Sequence, residues 1–192
     1  ILHPLMAKIL SYASSYKFIL PLLFLVLFFA LYVFPTFQKQ MTAAANMEIA
    51  PLDTRFAYTR TEVINDFTRL GNEGRDLYKV VTGRIDMIFP LTYGLLFILV
   101  LAWLIKKLST PSSKWILLSL MPLAGMLFDY LENINTLRLL ATFPDISESS
   151  VGWGEKMTIL KHSFLFLSVG LAVILAIALV IKRLLKPFGK PG

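Results

Sequence analysis

Ionisable residues at the ends of apolar segments are the feature of this sequence best suited to chemistry. Asp129, Glu132 and Asn133 follow an apolar stretch at spacings i, i+3 and i+4, which places them on one face of a helix. Lys161 and His162 lie just before another apolar stretch. A charged side chain within a membrane is costly unless it is paired or faces water, so such residues indicate a functional site.

Two carboxylates beside a lysine and a histidine can move protons, for example at a lipid head group. Asp129, Glu132 and His162 are therefore the candidate catalytic residues. The same residues together with Asp86 also offer oxygen and nitrogen ligands for a divalent cation. No two of these four candidates share a diagnostic metal motif, so the sequence leaves both the metal and any other cofactor unknown.

Other polar residues are candidates for ligand binding. Asp86 and Tyr93 share one face of a third apolar segment, and Arg75 lies in the polar segment before it. A guanidinium group suits a phosphate or a carboxylate. The candidate ligand-binding residues are Arg75, Asp86, Tyr93, Asn133 and Lys161.

A purely structural interpretation competes with these functional ones. Asp129 with Lys161, and Asp86 with Arg84 or Arg138, can form neutralising pairs that fix the register of the helices. Near a membrane surface, long side chains also reach water and reduce the cost of their charge. Bracing, ligand binding and catalysis therefore remain three open alternatives.

Membrane-spanning helices must position all of these residues. Of the 192 residues, 56% are apolar, and they occur in long blocks; a span needs about 20 mainly apolar residues. The sequence predicts an all-α integral membrane four-helix bundle, forming a single membrane domain over residues 1–192. The predicted segments are a first span at about 17–37, an outer-face segment at 38–82, and further spans at about 84–107, 114–138 and 156–182.

The segment at 38–82 is expected to contain an amphipathic helical hairpin. Its first part, through Pro51, has the composition of irregular chain. Thr59 and Glu62 then have the spacing of a capping box, and residues 59–82 show helical periodicity. Gly71 or Gly74 is a natural place for the first helix of the hairpin to stop.

Proline and glycine set the other expected boundaries. The first span is expected to end near Pro35, and Pro122 is expected to kink the third. Residues 108–114 are predicted to form a tight turn. Residues 141–154, with one proline and two glycines, are predicted to form an outer loop.

The distribution of charge predicts orientation. Nine of the 19 basic residues, and none of the 12 acidic residues, fall on the side of the predicted bundle that holds both termini. Because Lys and Arg in short loops favour the cytoplasmic side, both termini are predicted to be cytoplasmic in a bacterial inner membrane. Nucleic acid is not an expected partner, since the basic residues are spread over the ends of the spans. The nine basic residues on the side of the termini are Lys8, Lys17, Lys106, Lys107, Lys114, Lys182, Arg183, Lys186 and Lys190.

Three short patterns carry a resemblance to a known group. They are Glu73-Gly74-Arg75, Asp86-x-x-x-Pro90-x-x-Tyr93-Gly94 and Asp129-Tyr130-x-Glu132-Asn133. The region from about 58 to 162 resembles uncharacterised bacterial four-span membrane proteins. The resemblance implies the topology and brings no function with it.

The sequence therefore favours a multi-pass membrane protein with a polar pocket at the outer leaflet. The expected ligand is a lipid head group or another amphipathic molecule, with acid/base or metal-assisted chemistry as a further option. Whether the protein is an enzyme is left uncertain. The alternative is a non-catalytic accessory subunit of a larger membrane complex. The expected partners are accordingly membrane lipids or other membrane protein subunits.

Overall fold

The computed structural model describes residues 2–109 and 114–185, and no strand occurs among them. The chain forms seven α-helices within this part, joined by two π-helical turns at Phe29–Val33 and Val81–Ile85 and by 3-10 turns at Leu52–Thr54 and Lys114–Leu120. The α-helices are α1 (Leu2–Ala13), α2 (Tyr16–Phe28), α3 (Phe34–Ala45), α4 (Arg60–Val80), α5 (Phe89–Leu108), α6 (Pro122–Thr142) and α7 (Glu148–Leu184).

Four helical stretches in the described chain are long and apolar enough to cross a membrane: Tyr16–Ala45, Arg60–Leu108, Trp115–Thr142 and Glu148–Leu184. Helix α5 is central and packs against α2, α6 and α7. The apolar part of its stretch is 61% buried inside the protein, against 6% for the first stretch and 11% for the last. Such exposed apolar surface suits lipid and would be a liability in water. The prediction of an all-α, multi-pass four-helix membrane bundle is confirmed.

The first spanning stretch does not end near Pro35. It passes through the π-helical turn into α3 and stops only at Asn46, whose left-handed backbone (φ 52°) caps the helix. Pro35 lies in the first turn of α3, where its missing N–H costs little. The part of 38–51 predicted as irregular is therefore helical as far as Ala45.

The third and fourth stretches also differ from expectation. Pro122 does not kink a continuous helix: a 3-10 turn precedes it, and α6 begins at the proline. Helix α7 begins at Glu148, capped by the side chain of Ser147, which accepts a hydrogen bond from the N–H of Ser150. The predicted outer loop at 141–154 is thus short, and its second half is helical.

Helix α4 has a sharp kink at Gly71, which has φ 62° and ψ −169°. The aromatic ring centroids of Phe67 and Tyr78 lie 6.2 Å apart, although a straight helix would separate these residues by about 16 Å. Nη1 of Arg75 likewise donates to the carbonyl oxygen of Phe67 at 2.6 Å. Residues 60–80 therefore form two short helical segments that contact each other across Gly71, here called the hairpin, and the predicted capping box at Thr59 is present.

The hairpin packs on one end of the bundle over a buried apolar core that it shares with α3, the 46–59 segment and the end of α6. Full burial of a side chain such as Phe67, which is 1% exposed, contributes about 1.5–3 kcal/mol. Two hydrogen bonds tie the 46–59 segment down: the main-chain N–H of Leu52 donates to the Tyr78 hydroxyl at 2.9 Å, and Nε2 of Gln38 donates to the carbonyl oxygen of Ile49 at 2.9 Å. This end of the molecule is called the capped end below.

Basic residues meet at the opposite end. The ammonium of Lys106 donates to the carbonyl oxygen of Ser11 at 2.7 Å, and that of Lys182 donates to the carbonyl oxygen of Lys107 at 3.0 Å. Helix α1 and the ends of α5 and α7 therefore lie together. Lys186 and Lys190, and residues 110–113 of the predicted turn, lie outside the described residues.

Candidate functional site

A buried ion-pair cluster joins α6 and α7. Nζ of Lys161 lies 2.5 Å from Oε2 of Glu132 and 3.5 Å from Oδ1 of Asp129. The i, i+3 spacing on α6 brings both carboxylates to the face that packs on α7. All three side chains are less than a tenth exposed. The structure thus brings together three of the residues that the sequence singled out.

Two hydroxyl groups complete this cluster. The Tyr93 hydroxyl, from α5, donates to Oδ2 of Asp129 at 2.8 Å. The Thr158 hydroxyl, from α7, donates to Oε1 of Glu132. Each carboxylate therefore has a charged and a neutral partner, as buried carboxylates require.

Asp53 is a further member that sequence reasoning missed. Its Oδ2 lies 3.9 Å from Nζ of Lys161, and its side chain is 33% exposed, far more than the other acids of the cluster. It belongs to the 3-10 turn Leu52–Thr54, which the hydrogen bond from Leu52 to Tyr78 holds against the hairpin. No helical periodicity marks Asp53, so only the fold of the 46–59 segment reveals its position.

Asn133 and Asp86 lie together beside the cluster. Nδ2 of Asn133 donates to the main-chain carbonyl oxygen of Asp86 at 3.0 Å, and so supports the chain just after the π-helical turn Val81–Ile85. Within the described part of the chain Asp86 has no ion pair, and Arg84 and Arg138 are exposed. The neutralising pair predicted for Asp86 therefore does not form there, whereas the one between Asp129 and Lys161 does.

A second polar contact region lies nearer the capped end. The main-chain N–H of Tyr58 donates to Oε1 of Glu155 at 2.9 Å. Burial, together with the nearby charges of Glu132 and Glu155, raises the pKa of the Tyr58 hydroxyl above its usual range. The absence of a side chain at Gly154 leaves room for Tyr58. A Cβ at this position would overlap the Tyr58 hydroxyl and would lie 2.8 Å from Nδ2 of Asn135. Tyr58 and Gly154 were not predicted as site residues.

A cavity of about 570 Å³ lies beside the ion-pair cluster. One end is polar and is formed by Asp53, Asp86, Asp129 and Lys161. The remaining walls are mainly apolar, and both π-helical turns contribute to them. Since π-helical turns occur frequently at functional sites, the presence of two beside this cavity makes it a candidate functional site. The apolar lining residues are Ala30, Phe34, Pro35, Phe37, Met41, Ala50, Pro51, Val81 and Phe89.

Five of the eight predicted site residues do not line this cavity. Glu132, Tyr93 and Asn133 each contact a residue that does, whereas His162 and Arg75 have their contacts elsewhere. The His162 ring packs against Phe56 and Phe166, with centroid distances of 4.9 and 6.1 Å, and its Nδ1 lies 2.9 Å from the carbonyl oxygen of Thr158. The guanidinium of Arg75 forms its hydrogen bonds within the hairpin: Nη1 donates to the carbonyl oxygen of Phe67, and Nη2 donates to Oδ1 of Asn72, each at 2.6 Å. Neither residue lines the cavity.

The predicted metal candidates do not come together as a ligand set. In residues 2–109 and 114–185, no group of three or more His, Asp or Glu side chains has an arrangement that could hold a metal ion. The ammonium of Lys161 lies between Glu132 and Asp129, in the place where a cation would neutralise them. The carboxylates are therefore arranged around an internal ammonium.

The chemistry available is recognition at the polar end of a cavity whose other walls are mainly apolar. Asp53 and Asp86 line that end, whereas Glu132 forms an ion pair with Lys161 and accepts a hydrogen bond from the Thr158 hydroxyl. In comparisons with known proteins, no protein-family model, no curated protein and no solved structure matches the chain.

Proposed function

We propose that the protein binds an amphipathic ligand in the cavity between α3, the 46–59 segment and the start of α5, in the manner of a lipid-binding membrane protein. The single observation behind this is the cavity itself, of about 570 Å³, with Asp53, Asp86 and Asp129 grouped near Lys161 in a lining that is otherwise mainly apolar. Ligand sites are typically concave and largely apolar with a few convergent polar groups, and their volumes fall in this range.

The lining predicts how such a ligand is oriented. Its polar head lies against Asp53, Asp86 and Asp129, and its apolar part lies along the face of α3 that carries Phe34 and Phe37. This face belongs to the spanning stretch with the least burial inside the protein. The apolar part of that stretch, only 6% of which is buried inside the protein, is suited to contact with lipid, which favours a ligand drawn from the membrane.

Binding is proposed rather than catalysis because the buried carboxylates already have partners. Asp129 accepts from Tyr93 and pairs with Lys161, and Glu132 accepts from Thr158 and pairs with Lys161. A general acid or base needs a proton or lone pair directed at the substrate. His162, the remaining candidate, lies among aromatic side chains outside the cavity.

We also propose that the capped end faces outward and both termini face the cytoplasm of a bacterium, from the excess of basic residues at the opposite end. The chain has no cysteine, so single cysteines can report sidedness. A membrane-impermeant maleimide applied to intact spheroplasts is expected to label Glu73→Cys and not Tyr12→Cys. The reverse pattern would invert the proposed orientation.

The binding proposal is tested by filling the cavity. Ala30 lines the cavity, whereas Ala176 is exposed on α7 and does not, so Ala30→Trp and Ala176→Trp are matched variants. Each is extracted in a mild neutral detergent, and bound lipid is identified by native mass spectrometry. We expect one amphipathic molecule per chain in the native protein and the Ala176 variant, and its loss in the Ala30 variant.

Equal retention of lipid in both variants would contradict the proposal. Absence of lipid from the native protein, together with a stoichiometric partner protein in the same extract, would support the accessory-subunit alternative instead. The two outcomes can be read from a single spectrum, because a lipid and a protein add different masses.

A further inference from the structure

The charges at the polar end of the cavity do not balance. Asp53, Asp86 and Asp129 line it together with one cation, Lys161. That ammonium is closest to Glu132, at 2.5 Å, and lies 3.5 Å from Asp129 and 3.9 Å from Asp53. Lys161 is the one basic residue lining the cavity in the described chain, and its closest partner is Glu132, so acidic groups outnumber basic groups at this end.

Aromatic rings of the cavity wall are linked to Asp129 through Tyr93. The rings of Phe34 and Phe89, both in the cavity wall, meet edge to face with centroids 4.9 Å apart. Phe89 then contacts Tyr93 at 5.3 Å, and the Tyr93 hydroxyl donates to Asp129. Aromatic faces attract organic cations such as ammonium groups and do not attract anions. The wall and the charged end of the cavity thus favour the same kind of ligand.

We infer that the ligand has a positively charged nitrogen attached to an apolar chain, so that its head is an ammonium group rather than a bare phosphate. This inference rests on the proposed binding function and specifies the ligand class. A phosphate would meet three acidic side chains, and the only ammonium lining the cavity in the described chain is already paired with Glu132.

Asp53 determines this specificity. Asp129 holds the helices together through Tyr93 and Lys161, whereas Asp53 lies on a short surface turn with a third of its side chain exposed. Its carboxylate is therefore the most accessible negative charge of the cluster. Replacing it by asparagine removes the charge and keeps the shape of the side chain.

The experiment compares three single-chain probes of equal chain length: dodecylammonium, dodecyl phosphate and the neutral dodecyl glucoside. The purified full-length protein is held in nanodiscs of phosphatidylglycerol, and binding is measured by native mass spectrometry at pH 7. We expect one dodecylammonium per chain and no specific binding of the other two. Removing one partner of a close charge pair is expected to weaken binding by about tenfold or more.

Asp53→Asn is therefore expected to weaken binding of dodecylammonium, whereas Asp145→Asn, the same change at an exposed position outside the cavity, is expected to leave it unchanged. Both variants are first checked for a native melting temperature. Displacement of dodecylammonium by phosphatidylethanolamine would identify a lipid head group as the source of the ammonium, and lack of displacement would identify a free cationic amphiphile.

Two outcomes would overturn this inference without affecting the binding function. The first is binding of dodecyl phosphate or dodecyl glucoside, but not of dodecylammonium, that Ala30→Trp abolishes. The second is binding of dodecylammonium that Asp53→Asn leaves unchanged. Failure of all three probes to bind at a site sensitive to Ala30→Trp would overturn the binding function as well. The test therefore distinguishes a wrong ligand class from a wrong site.

Discussion

The ammonium nitrogen of Lys161 lies 2.5 Å from a carboxylate oxygen of Glu132, and the two side chains are only 8% and 1% exposed. This pair links α6 to α7, the two helices with the most extensive mutual packing in the described chain. Charges this deeply buried are stable only as partners, because each alone would lose its hydration without compensation. The pair therefore has a structural role whatever the cavity binds.

Lys161→Met is expected to destabilise the protein strongly. It leaves Glu132 and Asp129 buried without their cation, and breaking a buried pair in this way costs about 3–5 kcal/mol. The free energy of unfolding is measured in mixed micelles with increasing sodium dodecyl sulfate. Lys156→Met, at an exposed position on the same helix, is the matched control and should change little.

A second variant separates lost charge balance from lost packing. Adding Glu132→Gln to Lys161→Met removes a buried unpaired charge and is expected to recover part of the stability. If Glu132→Gln destabilised the Lys161→Met variant as much as it destabilises the native protein, the two side chains would not act as a pair.

Tyr93→Phe removes the hydroxyl that donates to Asp129 at 2.8 Å. A hydrogen bond to a charged group contributes about 1.5–3 kcal/mol, so a loss of this size is expected in the same unfolding assay. Tyr130→Phe is the control, because Tyr130 is half-buried on α6 and lies outside the cavity lining. Equal losses in both variants would argue against the bond to Asp129.

Gly154→Ala and Gly152→Ala are expected to have opposite effects. A Cβ at 154 would fall on the Tyr58 hydroxyl, and overpacking costs about 1–3 kcal/mol. A Cβ at 152 meets nothing within 4 Å, so alanine there should stabilise α7 by about 0.5–1 kcal/mol. Melting temperatures of the two variants provide the comparison, and a stabilised Gly154→Ala would contradict the close approach of Tyr58.

Gly71→Ala is expected to destabilise the hairpin. The φ of 62° and ψ of −169° belong to a region that is essentially accessible only to glycine, and another residue there costs about 1–3 kcal/mol. Nothing lies within 4 Å of the position, so the cost is in the backbone alone. Gly170→Ala, on the open side of α7, is the control. Hydrogen exchange of residues 60–80 should increase only in the first variant.

The helical boundaries show how far local patterns can be trusted. Thr59 and Glu62 predicted the start of the hairpin correctly, because a capping box involves only four neighbouring residues. Pro35 was read as an end and Pro122 as a kink, yet each lies in the first turn of a helix. A proline is compatible with both situations, and the structure on its N-terminal side decides between them.

The site residues divide in the same way. Asp129, Glu132 and Lys161 meet because helical spacing and depth in the membrane both follow from the sequence. His162 shares a helix face with Thr158, but the turn of α7 directs its ring to Phe56 and Phe166. Asp53 lies in a segment without periodicity, so nothing local relates it to Lys161.

The sequence by itself determined four apolar spans, a capping hairpin and polar faces at similar depth, since each depends on the composition and period of one continuous segment. The tertiary structure alone decided that α3 extends to Ala45, that Asp53 reaches Lys161, and that a cavity lies between them. Those features depend on packing between segments far apart in the chain. The free energy of such a contact depends on both of the segments that form it, so neither segment predicts it alone.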